Sequence, residues 1–362
     1  MIFELQKLAI LMNKLKNIKN ANSPLLITGH TGFKGAWLTA LLDSLEIPYV
    51  GISLKPSQDA LYNELVRTHL VKEYFQDIRD LDGVKKIINI HKPEMVLHLA
   101  AQPLVLDSYI DPLGTFATNV MGTANILECL RMSKSTVFVG VVTTDKVYKN
   151  DNRTYKFVEN DPIMGTDPYS ASKASTENVI SAWRSIPAGE SNLIISSLRA
   201  GNVIGGGDLS ANRLLPDLIR TLSAGVQPII RNPESMRPWQ HVLDPLIGYL
   251  LALDFSIESK EHNDFNFGPN DAALNVGRVA EIACEAWGEN RTPLIQRIPN
   301  APYEAGNLDL SSEKARAILN WEPIWSQQEA IKRTVKWWQS HSHSDAKSCC
   351  DEDLKAALQF LI

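Results

Sequence analysis

The sequence predicts an α/β protein with a doubly wound parallel sheet, Rossmann-like, and a smaller C-terminal substrate-binding lobe. Three observations lead to this prediction. Short apolar strands alternate with helical segments in the first half of the chain, a glycine-rich turn follows the first strand, and the pattern loosens after about residue 200. Strand–helix alternation requires right-handed crossovers, which put helices on both faces of a parallel sheet. Such a sheet binds ligands at the carboxyl ends of its strands.

The apolar segments set the expected order of elements. Strands are predicted at residues 24–28, 49–53, around 74–75, at 95–99 and at 137–142, with helices over 37–45, near 80–91 and over 115–132. The three glycines at 205–207 are expected to form a flexible loop, residues 340–350 a solvated linker, and 352–362 a short amphipathic helix. The predicted regions are an N-terminal extension (1–21), a Rossmann domain (22–200), a mainly substrate-binding lobe with segments returning to the sheet (201–340), and a C-terminal tail (341–362).

Composition excludes several classes of function. The net charge of −5 argues against nucleic-acid binding, so an anionic ligand would be held by local arginines. No apolar run approaches the roughly 20 residues that span a bilayer. The four cysteines have no metal-ligand spacing, and we expect no metal. Unpaired thiols at this density suit a reducing compartment, which predicts a cytoplasmic protein.

A glycine-rich turn connects the first predicted strand to the first helix. It supplies Gly29, Thr31, Gly32, Phe33, Lys34 and Gly35 as candidate cofactor ligands. Glycine permits a tight turn and close approach of the backbone to a pyrophosphate, which the helix N-terminus then faces.

The second strand lacks the acid that usually binds the ribose hydroxyls of NAD. Lys55 follows it instead, which would suit the 2′-phosphate of NADP, although a solvent-facing lysine is the simpler interpretation. After the third strand, Asp77 and Ile78 are candidates for adenine contact, and Asp77 could equally cap the next helix.

A second cluster predicts the chemistry. Tyr169 and Lys173 lie four residues apart on one predicted helical face. A tyrosine becomes a base near neutral pH only when its pKa is lowered, which a lysine one turn away can do. Thr144 ends the preceding strand, where its hydroxyl can share a substrate oxygen with Tyr169. Asp145 and Lys146 follow it directly.

These motifs together resemble the extended short-chain dehydrogenase/reductase family. The resemblance rests on the three spaced glycines, residues 98–102, Asn119, Thr144, Tyr169 and Lys173. Longer strings at 28–35, 101–105, 143–146, 199–208 and 237–242 resemble the branch of that family that dehydrates CDP-glucose. The likeness runs from about residue 22 to about residue 340.

The resemblance implies NAD as cofactor, a nucleotide sugar as substrate and a homodimer. Tyr169 would remove the proton of the 4-hydroxyl as hydride leaves C4, Asp145 and Lys146 would act in the loss of water across C5 and C6, and hydride would return to C6. It adds Leu99, Ala100, Ala101 and Asn119 to the cofactor site. The candidate substrate ligands are Gln102, Asn202, Arg213, Arg231, Arg237 and Tyr303.

The chain departs from that branch at three positions. Val147 and Lys149 stand where a cysteine and an acid are expected, beside the predicted active site. Tyr303 replaces a histidine in the predicted substrate lobe and bears on the choice of base or sugar.

Two other functions remain open. A nucleotide-sugar 4-epimerase or decarboxylase on the same scaffold would need Tyr169 and Lys173 but not the Asp145-Lys146 pair. A non-catalytic redox sensor that binds NAD(P) would have little reason to keep Thr144, Tyr169 and Lys173 together.

Overall fold

A computed structural model of the protein describes residues 14–133, 137–151, 155–187, 189–288, 291–296 and 308–360. Seven strands in these ranges form one parallel sheet. They are β1 (Leu25–Thr28), β2 (Tyr49–Ser53), β3 (Leu70–Phe75), β4 (Met95–His98), β5 (Val137–Val142), β6 (Leu193–Ala200) and β11 (Asn263–Phe267). Their order across the sheet is β3-β2-β1-β4-β5-β6-β11. Each step is parallel, which confirms the predicted doubly wound sheet.

Helices cover both faces of this sheet. In chain order they are α1 (Lys16–Lys19), α2 (Phe33–Ser44), α3 (Leu61–Glu64), α4 (Leu81–His91), α5 (Val105–Ile110), α6 (Pro112–Phe116), α7 (Gly122–Met132) and α8 (Pro168–Arg184). Those that follow are α9 (Leu214–Ser223), α10 (Leu243–Ser259), α11 (Val276–Trp287), α12 (Glu313–Leu319), α13 (Gln327–His341) and α14 (Ala346–Phe360). A π-helical turn, Ala117–Met121, links α6 to α7.

The alternation of side chains along β1 explains why the sheet is buried on both faces. Leu25 and Ile27 pack into one apolar cluster, with α2 and α10, whereas Leu26 packs into a second cluster with α4 and α7. Successive residues of a strand point to opposite faces. A strand covered on both sides must therefore be apolar throughout, which is the pattern that its sequence shows.

Short strands and helices after β6 form the lobe. Two of these strands, β7 (Asn202–Ile204) and β10 (Trp239–His241), pair in parallel. Two further pairs combine β8 (Ile229–Ile230) with β13 (Leu294–Ile295) and β9 (Met236–Arg237) with β12 (Leu274–Asn275). Helices α9, α11 and α13 contribute a separate apolar cluster, which includes Leu218, Ile282 and Val335. The lobe thus has its own core, while β11 returns the chain to the sheet.

Two expectations about the second half are wrong. The glycines at 205–207 form a packed turn and not a flexible loop, because the Trp37 indole donates a hydrogen bond to the Gly206 carbonyl at 2.9 Å and a Cβ on Gly206 would lie 1.8 Å from the Trp337 ring. The expected solvated linker at 340–350 is also wrong, since α14 begins at Ala346 and Cys349 and Cys350 are buried. No helix in the described ranges is long and apolar enough to cross a membrane.

Candidate active site

A cleft of about 1260 Å³ lies between the carboxyl ends of the sheet strands and the lobe. Its sheet wall contains the glycine turn, the residues that follow β3, β4 and β5, and the start of α8. Its lobe wall contains residues that follow β6, together with α9, β8 and Arg237. The cleft therefore occupies the edge where an open parallel sheet binds ligands.

The glycine turn is shaped by two close backbone approaches. Gly29 has φ +76°, and a Cβ there would lie 2.7 Å from the backbone nitrogen of Ala100. A Cβ on Gly35 would lie 2.1 Å from the Gly29 carbonyl oxygen, whereas one on Gly32 would have only an ordinary contact at 3.5 Å. Gly29 and Gly35 thus pack strand, turn and helix together, while Gly32, at the N-terminus of α2, leaves room above the turn.

The predicted cofactor ligands of the turn, and those after β3 and β4, lie along this cleft. Gly29, Thr31, Gly32, Phe33, Lys34, Gly35, Asp77, Ile78, Leu99, Ala100 and Ala101 all line it. Thr31 fixes the end of β2, because its hydroxyl shares a hydrogen bond with the Ser53 hydroxyl at 2.7 Å and donates to the Leu54 carbonyl at 3.0 Å. Lys55 is exposed and does not line the cleft.

Asp77 does not cap the next helix. Asp80 does so instead, accepting a hydrogen bond from the Gly83 backbone at 3.1 Å. The Asp77 carboxylate pairs with the Arg79 guanidinium at 2.6 Å, and both residues line the cleft. The helix-cap alternative for Asp77 is therefore wrong, and the end of the cleft near β3 carries this ion pair.

The start of α8 brings the predicted catalytic pair into the cleft. Asp167 caps the helix by accepting a hydrogen bond from the Ser170 backbone at 2.9 Å, and Pro168 occupies its first turn. Tyr169 and Lys173 then line the cleft one turn apart. The Lys173 ammonium donates to the Val142 carbonyl, the last residue of β5, at 3.1 Å.

Burial and one hydrogen bond set the protonation of this pair. Burial raises the pKa of Tyr169 to about 12, against a hydrogen bond with Thr144 that lowers it. Burial lowers the pKa of Lys173 to about 8, while the carboxylate of Glu177 raises it. A cation beside Tyr169 is thus what can bring its hydroxyl toward ionisation at working pH.

Asp145 lies behind the cleft wall that Thr144 and Lys146 form. Its side chain is 1% exposed, and burial raises the pKa of its carboxyl, partly offset by the charge of Lys146 and a hydrogen bond from Thr144. The Thr144 hydroxyl donates to Asp145 Oδ1 at 2.9 Å, whereas Oδ2 is buried and has no hydrogen-bond partner among the described residues. The second oxygen is therefore available to carry a proton.

Lys34, from the glycine turn, lies close enough to Arg213, Lys173 and Asp145 for their charges to act on it. Burial lowers its pKa to about 7, helped by the charges of Arg213 and Lys173 and opposed by that of Asp145. Its ammonium lies 3.4 Å from the Tyr249 hydroxyl. Residue type alone gave no sign that the pKa of this half-buried lysine would be lowered.

The lobe wall supplies the predicted arginines. Asn202, Arg213, Arg231 and Arg237 all line the cleft. Arg237 is 4% exposed, Arg213 pairs with Asp208 at 3.2 Å, and Arg231 is exposed. Buried and half-buried guanidinium groups facing one cleft suit an anionic ligand.

Other predicted residues lie elsewhere. The Gln102 amide donates to the Leu104 carbonyl at 3.0 Å and to the Thr115 hydroxyl on α6 at 2.9 Å, so its contact with substrate stays a prediction. Asn119 is buried in the π-helical turn and donates to the Ser172 hydroxyl at 2.8 Å. Tyr303 lies outside the described residues.

The departures at 147 and 149 do not reach the cleft. Val147 is buried in a small apolar cluster with Tyr148, Phe157 and two leucines, and Lys149 is exposed. Neither lines the cleft.

Sequence reasoning missed one group of buried charges. Glu177 and Arg199 pair at 2.9 Å, both nearly fully buried, below the strand end that carries Thr144. The available signal was position: Glu177 lies one turn beyond Lys173 on the same face of the helix, and Arg199 opens one of the longer motifs.

The profile of the GDP-mannose 4,6 dehydratase family matches residues 26–334. The chain belongs to this family. It is 40% identical to CDP-glucose 4,6-dehydratase of Salmonella typhimurium, over 90% of this chain and 93% of that protein. It is 26% identical to dTDP-glucose 4,6-dehydratase of Haemophilus influenzae, over 88% of this chain and 99% of that one.

Solved structures share the fold of this family member. UDP-glucose 4-epimerase of Thermotoga maritima superposes with a TM-score of 0.78 at 23% identity, covering 88% of this chain and all of the other. DesIV, a dTDP-glucose 4,6-dehydratase of Streptomyces venezuelae, gives 0.76 at 21% identity, covering 88% and 97%. At these identities the likeness establishes the shared fold, whereas the reaction depends on the residues of the site.

Proposed function

We propose that the protein is an NAD-dependent nucleotide-sugar 4,6-dehydratase that converts CDP-glucose to CDP-4-keto-6-deoxyglucose and water. One observation carries the proposal: Thr144 and Lys146, which follow β5, line the cleft that holds Tyr169 and Lys173, and Asp145 is buried directly behind that wall. An epimerase would need only Thr144, Tyr169 and Lys173. The 40% identity to a CDP-glucose 4,6-dehydratase supports the same substrate.

The glycine turn fits the pyrophosphate of NAD. Gly32 has room for it above the N-terminus of α2, and the backbone N–H groups there would hold its charge. Bound NAD supplies the hydride acceptor for C4 and the hydride donor for C6. Because both transfers fall within one turnover, the reaction has no net change in redox state.

Tyr169 removes the proton of the sugar 4-hydroxyl. Thr144 on the same wall lowers the pKa of its hydroxyl, and the ammonium of Lys173 stabilises its ionised form. Loss of this proton together with the hydride at C4 gives a 4-ketone, which acidifies the hydrogen at C5.

Asp145 and Lys146 carry out the elimination. Burial keeps the Asp145 carboxyl protonated to higher pH than an ordinary aspartate, so it can donate its proton to the departing 6-hydroxyl. Lys146, on the cleft wall beside it, acts on the C5 proton. Water leaves across C5 and C6 to give an enone, and hydride added at C6 with a proton returned to C5 completes the product.

Arginines of the lobe wall hold the substrate diphosphate. Arg237 is placed first because it is buried yet lines the cleft, and Arg213 lies beside it on the same wall. A planar guanidinium binds two phosphate oxygens at once. Gln102, Asn202, Arg231 and Tyr303 are the remaining proposed substrate contacts.

The test is incubation of the purified protein with CDP-glucose and, in parallel, dTDP-, UDP- and GDP-sugars, scored by mass spectrometry. The proposal requires loss of one water from CDP-glucose, no accumulation of NADH, and at least about tenfold preference over the other nucleotides. An isomer of unchanged mass would identify an epimerase instead. Stoichiometric release of NADH would contradict a dehydratase cycle.

We also propose that the protein is a homodimer. Apolar side chains are exposed together on α5, α6 and the π-helical turn, with Ile110 and Leu113 each more than 80% exposed and Met121 57% exposed. Patches of this kind mark protein interfaces. Light scattering should give twice the chain mass, and Leu113→Glu should give a monomer.

A further inference from the structure

The carboxylate of Glu177 is a junction between α8 and the strand that precedes the catalytic residues. Its Oε1 accepts hydrogen bonds from the Thr143 hydroxyl at 2.6 Å, the Ser197 hydroxyl at 2.7 Å and the Arg199 Nε at 2.9 Å. Its Oε2 accepts from Arg199 Nη2, also at 2.9 Å. One carboxylate therefore ties β5, β6 and α8 together.

Arg199 extends this junction to the rest of the molecule. Its Nη1 donates to the Tyr148 hydroxyl at 3.0 Å and to the Glu159 carbonyl at 2.9 Å. Tyr148 in turn donates to the Asn266 side chain on β11 at 2.7 Å. The loop that follows the Asp145-Lys146 pair is thereby fastened to the far edge of the sheet.

Burial of this ion pair has a cost. Glu177 is 5% exposed and Arg199 2% exposed, and the loss of hydration of two charges offsets much of their attraction. Replacement of a buried ion pair by well-packed apolar side chains of similar volume is often neutral or stabilising. Stability alone therefore does not explain why the Glu177–Arg199 pair is charged. Its position next to the strand end that carries Thr144 suggests a role in the active site.

We propose that Glu177, held by Arg199, is a positioning residue that fixes the strand end carrying Thr144 and keeps Lys173 in its charged form. Thr143, its direct hydrogen-bond donor, precedes Thr144 in the chain. Lys173 lies one helical turn before Glu177 on the same face. This inference rests on the proposed function in taking Tyr169 as the base.

The charges around Lys173 favour Glu177 in this role. From α2 the ammonium of Lys34 interacts with Lys173. From β4 His98 adds no charge, because burial lowers its pKa to about 3 and keeps the ring neutral. Among the described residues, Glu177 is the carboxylate that raises the pKa of Lys173 against its burial.

The remaining charges near this junction act on other groups. Asp145 interacts with Lys146, Arg237 and Lys34. Asp264, on β11, lies 3.6 Å from Arg199 and 2.8 Å from Arg184. Asp264 therefore shares the guanidinium with Glu177 without reaching the catalytic pair.

The experiment is a titration of Tyr169 in the NAD-saturated enzyme. Near-ultraviolet tyrosinate absorbance of each protein is corrected by that of its Tyr169→Phe counterpart, which isolates this ring. Glu177→Gln keeps the shape of the side chain but removes its charge. Lys173 then loses its stabilising anion, its charged fraction falls, and the pKa of Tyr169 should rise by about one unit or more.

Asp264→Asn is the matched control, since it removes the other carboxylate on Arg199. It should leave the titration unchanged. The pH–rate profile with CDP-glucose should show the same contrast: in Glu177→Gln the rising limb moves to higher pH and kcat at neutral pH falls about 10- to 100-fold, with NAD affinity retained. Thr143→Val, which keeps the ion pair, should lower kcat without moving the tyrosine titration.

A titration of Glu177→Gln that matches wild type would overturn the role in protonation. Wild-type kcat in Thr143→Val would overturn the role in positioning, and this second variant keeps the test decisive if Glu177→Gln does not fold. Because the titration needs no substrate, a wild-type enzyme that ignores CDP-glucose contradicts the proposed function and leaves the titration result standing.

Discussion

The sheet wall of the cleft carries Thr144, Tyr169 and Lys173 as buried side chains at a strand end or in a capped helix, whereas two of the three arginines of the lobe wall stay partly exposed. Thr144, Tyr169 and Lys173 are each less than 10% exposed, and each is hydrogen-bonded at a strand end or placed in the first turns of a capped helix. On the lobe wall, Arg213 and Arg231 keep considerable exposure.

The difference indicates a division of labour. Proton transfer requires reacting atoms held within fractions of an ångström, which buried and hydrogen-bonded groups achieve. Binding of a diphosphate tolerates more freedom, since charge attraction falls off gradually with distance. Substitutions in the sheet wall should therefore change kcat, and substitutions in the lobe wall should change KM.

The largest effect is expected at Tyr169. Tyr169→Phe keeps the ring but removes the ionisable oxygen, and loss of a general base costs about 10²–10⁴-fold. We expect that fall in kcat with NAD binding retained, as measured by steady-state kinetics and calorimetry. Full activity would remove Tyr169 from the mechanism and contradict the assignment of proton transfer to the sheet wall.

Substitution of Asp145 and Lys146 tests whether oxidation at C4 and loss of water depend on different residues of the sheet wall. Asp145→Asn and Lys146→Ala should bind NAD normally and still remove hydride from C4, because Thr144, Tyr169 and Lys173 remain. With deuterium at C4 in a single turnover, reduced cofactor should appear while the 4-keto-6-deoxy product does not. Product formed at the wild-type rate in both variants would remove Asp145 and Lys146 from the elimination step.

The glycine turn allows a matched pair of substitutions. Gly35→Ala places a Cβ 2.1 Å from the Gly29 carbonyl, so we expect lost NAD binding and a clear drop in Tm. Gly32→Ala meets nothing closer than 3.5 Å and should keep the wild-type Tm while it weakens NAD affinity. Equal Tm values for the two variants would mean that Gly35 does not pack as described.

Arg237 tests the lobe wall. Arg237→Ala removes a buried guanidinium facing the diphosphate, and loss of a charged hydrogen bond should raise KM for CDP-glucose about tenfold or more, with kcat changed less. Arg231→Ala, at an exposed position, is the milder comparison. A fall in kcat at constant KM would place Arg237 with the chemistry and contradict the division between the walls.

Lys55 should have the smallest effect. It lies outside the cleft, so Lys55→Ala should leave the preference for NAD over NADP unchanged. The ratio of kcat/KM for the two cofactors measures this directly. A preference for NADP that disappears in the variant would show that Lys55 reaches the ribose.

The first half of the chain was predictable because its signals are local. Buried parallel strands are continuous apolar runs, so residues 49–53 and 137–142 were placed with their observed bounds as β2 and β5. The helix over 115–132 was predicted as one piece, but Asp111 caps an earlier start at Pro112 and a π-helical turn interrupts it at Ala117–Met121. Such a turn has no distinct residue pattern.

The second half depends on contacts between distant residues. Three consecutive glycines predict freedom of the backbone, yet Gly206 is fixed between Trp37 and Trp337, each more than 100 residues away. In the same way, Glu177 and Arg199 become significant only once β5, β6 and α8 lie side by side. The residues of the glycine turn and the Tyr169-Lys173 pair could be named from sequence, but their burial and protonation could not.

The last helix of the chain packs beside the helix that opens at the glycine turn: α14 and α2 belong to one apolar cluster, which buries Trp37 and Cys350 together. During synthesis α2 is made about 300 residues before α14, and its outer flank stays uncovered until α14 follows. Domains tend to fold as units as the chain is extended. Here the helix behind the dinucleotide pocket reaches its final packing only once α14 has been made, so a chain that stops before α14 would leave the apolar flank of α2 exposed.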